Sequence, residues 1–216
     1  MSPTPLARIA APLALLAGAI FVSAQVVLLM TFDLTDRAAT LANPVFVIAQ
    51  IAYFIGFCVL LVALVATYER EANRAGTFGL IAFLTAAVGT MFLAGDHWFD
   101  TFAGPWIIEI APEAAATPSG FLVTGALASY ALFAIGWVMF GLASARARVF
   151  PLAISLAIVL GGAIGFFALM PPFGIGIGFA MLALGAWLAR TPLPATWARP
   201  DQASVGALDA TLEPGG

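Results

Sequence analysis

The sequence has no lysine, one cysteine, one histidine and only 9% charged residues. Each shortage excludes something. A soluble domain carries roughly a quarter charged residues. At 9% there is too little charge to cover a water-exposed surface, so hydrocarbon is the expected solvent for most of the chain. Cys58 alone permits neither an intrachain disulfide nor a cysteine-based metal site. Within its apolar run it reads as a small packing residue. With His97 alone, a bis-histidine haem site cannot form within one chain. The scattered arginines form no basic stripe, so nucleic acid is not an expected partner. G-x-S-x-G, H-E-x-x-H and Walker elements are missing, which removes support for a serine or zinc intramembrane protease. The expected span centres hold no Asp, Glu, Lys, Arg or His, the groups that proton-coupled transporters and voltage sensors usually need.

What is present is apolar: 62% of the 216 residues are hydrophobic, and the mean hydropathy is +1.06. About 20 apolar residues cross roughly 30 Å of hydrocarbon as a helix. Six segments suit that length: residues 9–32, 45–67, 77–95, 120–143, 152–169 and 173–188. The last is short and glycine-rich. Long uninterrupted runs exclude a barrel, whose strands alternate over about ten residues. The expected fold is all-α, a polytopic transmembrane bundle of about six spans occupying residues 1–190. Arg8 and Val22-Ser23-Ala24 resemble a cleaved leader. However, the run continues through Val26–Met30, which suits an uncleaved span.

Orientation follows from arginine. With six spans, Arg8, Arg70, Arg74, Arg146, Arg148, Arg190 and Arg199 share one side, against Arg37 alone. The positive-inside rule then places both termini in the cytoplasm, for a cell-membrane protein. Abundant Ala, Gly and Pro without lysine suits a GC-rich bacterial genome. The long connection, residues 96–119, carries Trp98, Phe99, Phe102 and Trp106, and is expected at the outer interface. The proline-rich residues 191–216 are expected to be a disordered cytoplasmic tail. Ile55-Gly56-Phe57 and Ile135-Gly136-Trp137 take similar places in two hairpins, a faint sign of parallel duplication.

Three sets of residues are candidate sites. Asp96 and Asp100 are four apart and share a face of a regular helix, with His97 close by. That cluster suits an interfacial anchor, a proton-linked or ligand role, or a divalent metal. Gln25, Gln50, Tyr53 and Tyr130 put polar groups inside spans, either as interhelical hydrogen bonds or as an intramembrane path. Gly161, Gly165, Gly174 and Gly178 form small-xxx-small pairs that let helices approach closely.

The stretch Ala94–Phe102 with Gly104-Pro105-Trp106, Arg146–Pro151 and Met170-Pro171-Pro172-Phe173-Gly174 resemble patterns in uncharacterised bacterial multi-pass membrane proteins. The similarity spans roughly residues 90–190. It implies a six-span bacterial membrane protein and carries no activity.

The leading expectation is a non-enzymatic bundle that packs with itself or another membrane protein in the bilayer, with no cofactor and no metal. The alternatives are a small permease or lipid-interacting carrier using the glutamine–tyrosine path, and an interfacial enzyme using Asp96, His97 and Asp100. A cavity reaching Gln25 and Gln50 would favour the carrier, and a cleft focused on His97 the enzyme.

Overall fold

In hydrocarbon every backbone N–H and C=O needs an internal partner, and an isolated apolar segment meets that demand only as a helix. The computed structural model describes residues 5–33, 36–111, 113, 119–168 and 170–191, and they contain helices and no strand. Helix α1 is Pro5–Thr31, α2 is Arg37–Ala42 and α3 is Pro44–Trp98. A π-helical turn, Phe99–Ala103, leads into α4, Gly104–Ile110. Then come α5, Gly120–Ala147, and α6, Leu152–Ile164, which tightens into a 3-10 turn over Gly165–Phe167. The last is α7, Ile175–Arg190. Pro5–Thr31, Pro44–Ile110 and Gly120–Ala147 are long and apolar enough to cross a membrane; Leu152–Phe167 and Ile175–Arg190 are shorter apolar helices.

Local chemistry sets the ends. Asn43 caps α3 by accepting the Val45 N–H at 3.0 Å, with Pro44 in the first turn, where a missing N–H costs nothing. Asp36 caps α2 and Ser119 caps α5 in the same way. After α6 and its 3-10 turn, which ends at Phe167, come Pro171 and Pro172, which disfavour continued helix.

Helix α3 is a hairpin, not a rod. At about 1.5 Å per residue, forty residues of straight helix span about 60 Å. Yet the Phe57 and His97 ring centroids are 5.0 Å apart, and those of Tyr68 and Phe83 are 4.2 Å apart. The reversal falls at Gly76 (φ 61, ψ −161), a region open essentially to glycine alone. Residues 44–75 and 77–98 are therefore antiparallel arms, where the sequence suggests two separate segments.

The bundle closes as a ring: α1 packs on α3 and α7, α3 on α5, α5 on α6, and α6 on α7. Small residues set the spacing. A Cβ on Gly18 would lie 2.6 Å from the Gly178 carbonyl oxygen, and one on Gly89 would lie 2.6 Å from Leu132 backbone. Between these contacts sit Phe21, Phe57, Phe133, Trp137 and Phe140, all buried. The Trp137 indole N–H donates to Thr90 Oγ1 at 3.0 Å. At the Gly76 end, Arg70 donates twice to the Ala7 carbonyl oxygen (2.9 and 2.7 Å), pinning the start of α1 to the hairpin. Cys58 is exposed on the bundle's outer surface, so it does not pack the interior as expected.

Beyond Gly95 the chain stays helical to Ile110, where the sequence suggests a loop. Residues 112 and 114–118 of that expected loop, and the tail from residue 192, lie outside the described residues.

Candidate functional site

A cavity of about 310 Å³ opens at the end of the bundle opposite Gly76. Five chain segments converge there. Helix α1 contributes Gln25 and Leu28, with Phe32 and Asp33 just beyond it. Helix α2 contributes Thr40 and Leu41, and the opening of α3 adds Phe46, Gln50 and Tyr53. The far end of the hairpin supplies His97 and Asp100. Ala168, Met170 and Pro171 close the remaining side.

The walls are apolar and the floor is polar. Phe32 and Phe46 stack with centroids 6.2 Å apart and planes at 23°. Below them, Gln25 is 1% exposed, and Gln25 Oε1 and Gln50 Oε1 are buried with no hydrogen-bond partner among the described residues. The Tyr53 hydroxyl and the Gln25 amide both rest against the bare Cα of Gly174, where a Cβ would collide with them. Gly174 is thus a seat for polar side chains, beyond its expected part in helix packing. Thr40 fixes the rim: its hydroxyl accepts the Asp33 N–H (3.0 Å) and donates to the Asp33 carbonyl oxygen (3.2 Å).

His97 is 4% exposed. Its ring stacks on Phe57 at 18° and meets Tyr53 edge-on, centroids 4.8 Å apart. Both ring nitrogens are buried, with no hydrogen-bond partner among the described residues. A surface anchor would keep its polar atoms wet, so the anchoring role expected for the whole cluster does not fit His97. Trp98, Phe102 and Trp106, by contrast, are exposed, as an anchor requires.

The π turn begins directly after Trp98, with Gly104 N–H bonding to Phe99 O across five residues. Such turns insert a residue into helical register and often occur at functional sites. Here Asp100 joins His97 in the cavity wall, while half-buried Asp96 sits beside Tyr130 of α5 and lies outside the lining. The described residues include no group of three or more His, Cys, Asp or Glu placed to hold a metal. His97, turned inward onto aromatic rings, offers no such set.

The cavity thus joins Gln25, Gln50 and Tyr53, from the intramembrane set, with His97 and Asp100, from the cluster. Tyr130 stays behind His97, centroids 6.3 Å apart, and does not line it. The packing glycines sit at close approaches. A Cβ on Gly161 would lie 2.9 Å from Gly176 O, one on Gly165 2.7 Å from the Phe133 ring, and one on Gly178 2.9 Å from Val22.

Sequence reasoning missed two features. Asp33 and Thr40 follow the first apolar run and look like ordinary loop polarity; only their spacing from Phe32 and Phe46 hints at a shared rim. Glu71, within Glu69-Arg70-Glu71, looks like part of a solvated turn. It is 0% exposed, and neither carboxyl oxygen has a hydrogen-bond partner among the described residues.

No family model, curated protein or solved structure matches the chain.

Proposed function

We propose that this chain is a six-span bacterial membrane protein, with both termini cytoplasmic, that binds a small amphipathic molecule in a cavity open toward the outer face. One observation carries the reading. Gln25, Gln50 and His97 line a single space, and each has a buried polar atom with no hydrogen-bond partner among the described residues. An unsatisfied buried polar group costs about 1–3 kcal/mol, so three such residues in the lining of one cavity favour an occupant that lets them turn and bond to it. Pockets for small ligands have this character, with apolar walls and a few convergent polar groups, and begin at about 300 Å³.

The antiparallel arms of α3 support two passes, and the apolar helices α6 and α7 support the fifth and sixth. The seven-to-one arginine division supports the orientation. The mouth, at Asp33 and Met170, then faces outward. Binding or carriage is favoured over catalysis because neither nitrogen of His97 has a hydrogen-bond partner among the described residues.

Two measurements test this reading. In a Cys58→Ser background, a cysteine at Ala39 should react with an impermeant reagent in intact cells, and one at Ala147 only after permeabilisation. The reverse pattern overturns the orientation. Native mass spectrometry after mild detergent extraction should show a bound small molecule that Gln50→Leu depletes. A chain that always emerges bare, and that no added amphiphile stabilises against heat, overturns the binding role.

A further inference from the structure

The end of the bundle opposite the cavity carries exposed arginines from four helices and one turn. We propose that these arginines bind anionic phospholipids, with guanidinium groups on the headgroup phosphates and the acyl chains along the apolar surface beside them. The inference rests on the six-span reading and is independent of what occupies the cavity.

Packing register brings the arginines to one level. Gly185 of α7 meets Ala11 and Leu15 of α1, so the antiparallel run carries Arg190, the last residue of α7, to the level of Arg8 near the start of α1. Gly136 of α5 meets Ala86 of α3. Ten residues on in α5 and ten back in α3, Arg146 comes level with Gly76 and nearby Arg74. Arg148 belongs to the same end, because Phe150 meets Trp187 of α7, ring centroids 5.6 Å apart. Arg8, Arg74, Arg146, Arg148 and Arg190 are all exposed.

The positive sign survives a full count of charge. On this side the six-span reading places seven arginines against Glu69, Glu71, Asp201, Asp209 and Glu213. The other side has Arg37 against six acidic residues. Every charged side chain is included, so the sign holds whichever ion pairs form. Glu71, moreover, is buried away from the surface. Basic groups beside a bilayer attract anionic lipid over about a Debye length. The basic residues are all arginine, whose planar fork donates two parallel N–H bonds to a phosphate.

Apolar neighbours set the class of anion. Ile9 adjoins Arg8, Phe78 follows Arg74 by four positions, Leu142 precedes Arg146 by four and Leu152 follows Arg148 by four. All four are exposed. A soluble anion or a nucleic acid would meet the arginines and leave this apolar surface uncovered. An anionic head on acyl chains meets both.

The test uses the full chain in phosphatidylcholine vesicles with a trace of spin-labelled phosphatidylglycerol or spin-labelled phosphatidylcholine of the same chains. The motionally restricted fraction gives the relative association of each lipid. Phosphatidylglycerol should be preferred about threefold or more in 0.1 M NaCl. The preference should vanish in 1 M NaCl, where screening acts within about 3 Å. An Arg146→Gln, Arg148→Gln double variant should lose about half of it or more at an unchanged melting temperature, and Arg37→Gln on the other side should keep it. Glycerophosphoglycerol, the same head without chains, should not displace the lipid at equal concentration. Equal association of the two lipids in the wild type overturns the proposal, as does a preference that persists in 1 M NaCl. A preference lost equally in Arg37→Gln places the site elsewhere and overturns it too. Displacement by the soluble head would mean that the arginines take a free phosphodiester, against the lipid assignment. Should the double variant fail to fold, Arg8→Gln with Arg190→Gln and the salt series decide. Both leaflets carry the same lipids, so the result does not depend on which way the chain faces; the cysteine labelling above judges orientation separately.

Discussion

The imidazole of His97 lies nearly parallel to the ring of Phe57, centroids 5.0 Å apart, although forty residues separate them in the chain. That contact exists because one glycine reverses α3. It also turns the chain's only histidine away from the surface and into the wall of the cavity. The hairpin geometry therefore decides the chemistry at its far end.

Gly76 should be irreplaceable for conformational reasons alone. A Cβ there meets nothing within 4 Å, yet the backbone sits at φ 61, ψ −161. Gly76→Ala should cost about 1–3 kcal/mol through backbone strain. Gly95 is the control, being equally open but helical. Gly95→Ala should be neutral or stabilising by up to about 1 kcal/mol. Denaturant unfolding in mixed micelles measures both. Equal effects would refute the strain argument.

Much of this architecture is legible in sequence. The apolar runs give the helices, and Gly161 and Gly178 fall where close approach is expected. Three things were hidden. The first is that α3 stays helical past Gly95: Asp96, His97 and Asp100 look like a polar stop, and nothing local says that His97 has a cavity to face. The second is the π turn, a register change that periodicity arguments assume away; with it Asp100 joins the cavity lining and Asp96 does not. The third is Glu71, whose charged neighbours suggest solvent while Ser144 of α5 lies beside it. Each is a tertiary effect, set by which helix arrives opposite and not by the local pattern.

The α6–α7 contact should tolerate no added carbon at Gly161. A Cβ placed there would lie 2.9 Å from Gly176 and Ile177 backbone atoms, and backbone cannot swing aside. Gly165 faces only the edge of the Phe133 ring, which can rotate. Gly161→Ala should therefore cost about 1–3 kcal/mol, and Gly165→Ala less. Melting temperatures in one detergent decide the order. The opposite order would mean that the helices can separate freely at Gly161.

Glu71 predicts a pH dependence of stability. It lies in the connection between the second and third proposed spans. Burial raises its carboxyl from the ordinary 4.5 to about 7, an effect that the polar hydroxyl of nearby Ser144 partly offsets. Arg70 does not neutralise it, because that guanidinium is bound to the Ala7 carbonyl oxygen. A carboxyl with a raised folded-state pKa binds more protons folded than unfolded. Its effect on stability therefore worsens as pH rises from about 4.5 to about 7, then levels off. Glu71→Gln should remove that slope and leave the variant more stable than wild type at about pH 8. Parallel melting curves for both proteins across this range would show that Glu71 is solvated and the burial argument wrong.

His97 separates packing from ligand binding. Its neighbours Tyr53, Phe57 and Tyr130 are aromatic, and its two nitrogens bond to nothing among the described residues. For stability alone, phenylalanine is an adequate substitute, similar in shape and with no polar atom to desolvate. His97→Phe should therefore leave the ligand-free protein as stable as wild type, or more stable by about 1 kcal/mol, since two unsatisfied buried atoms disappear. For binding, the same change deletes the only imidazole on the cavity floor, and occupancy by the co-purified molecule should fall several-fold. His97→Ala should lose both, because it also opens space against Phe57. Thermal unfolding and native mass spectrometry on the three proteins give the two readouts independently. A His97→Phe protein that unfolds early while keeping its ligand would mean that the imidazole serves the fold and not the cavity.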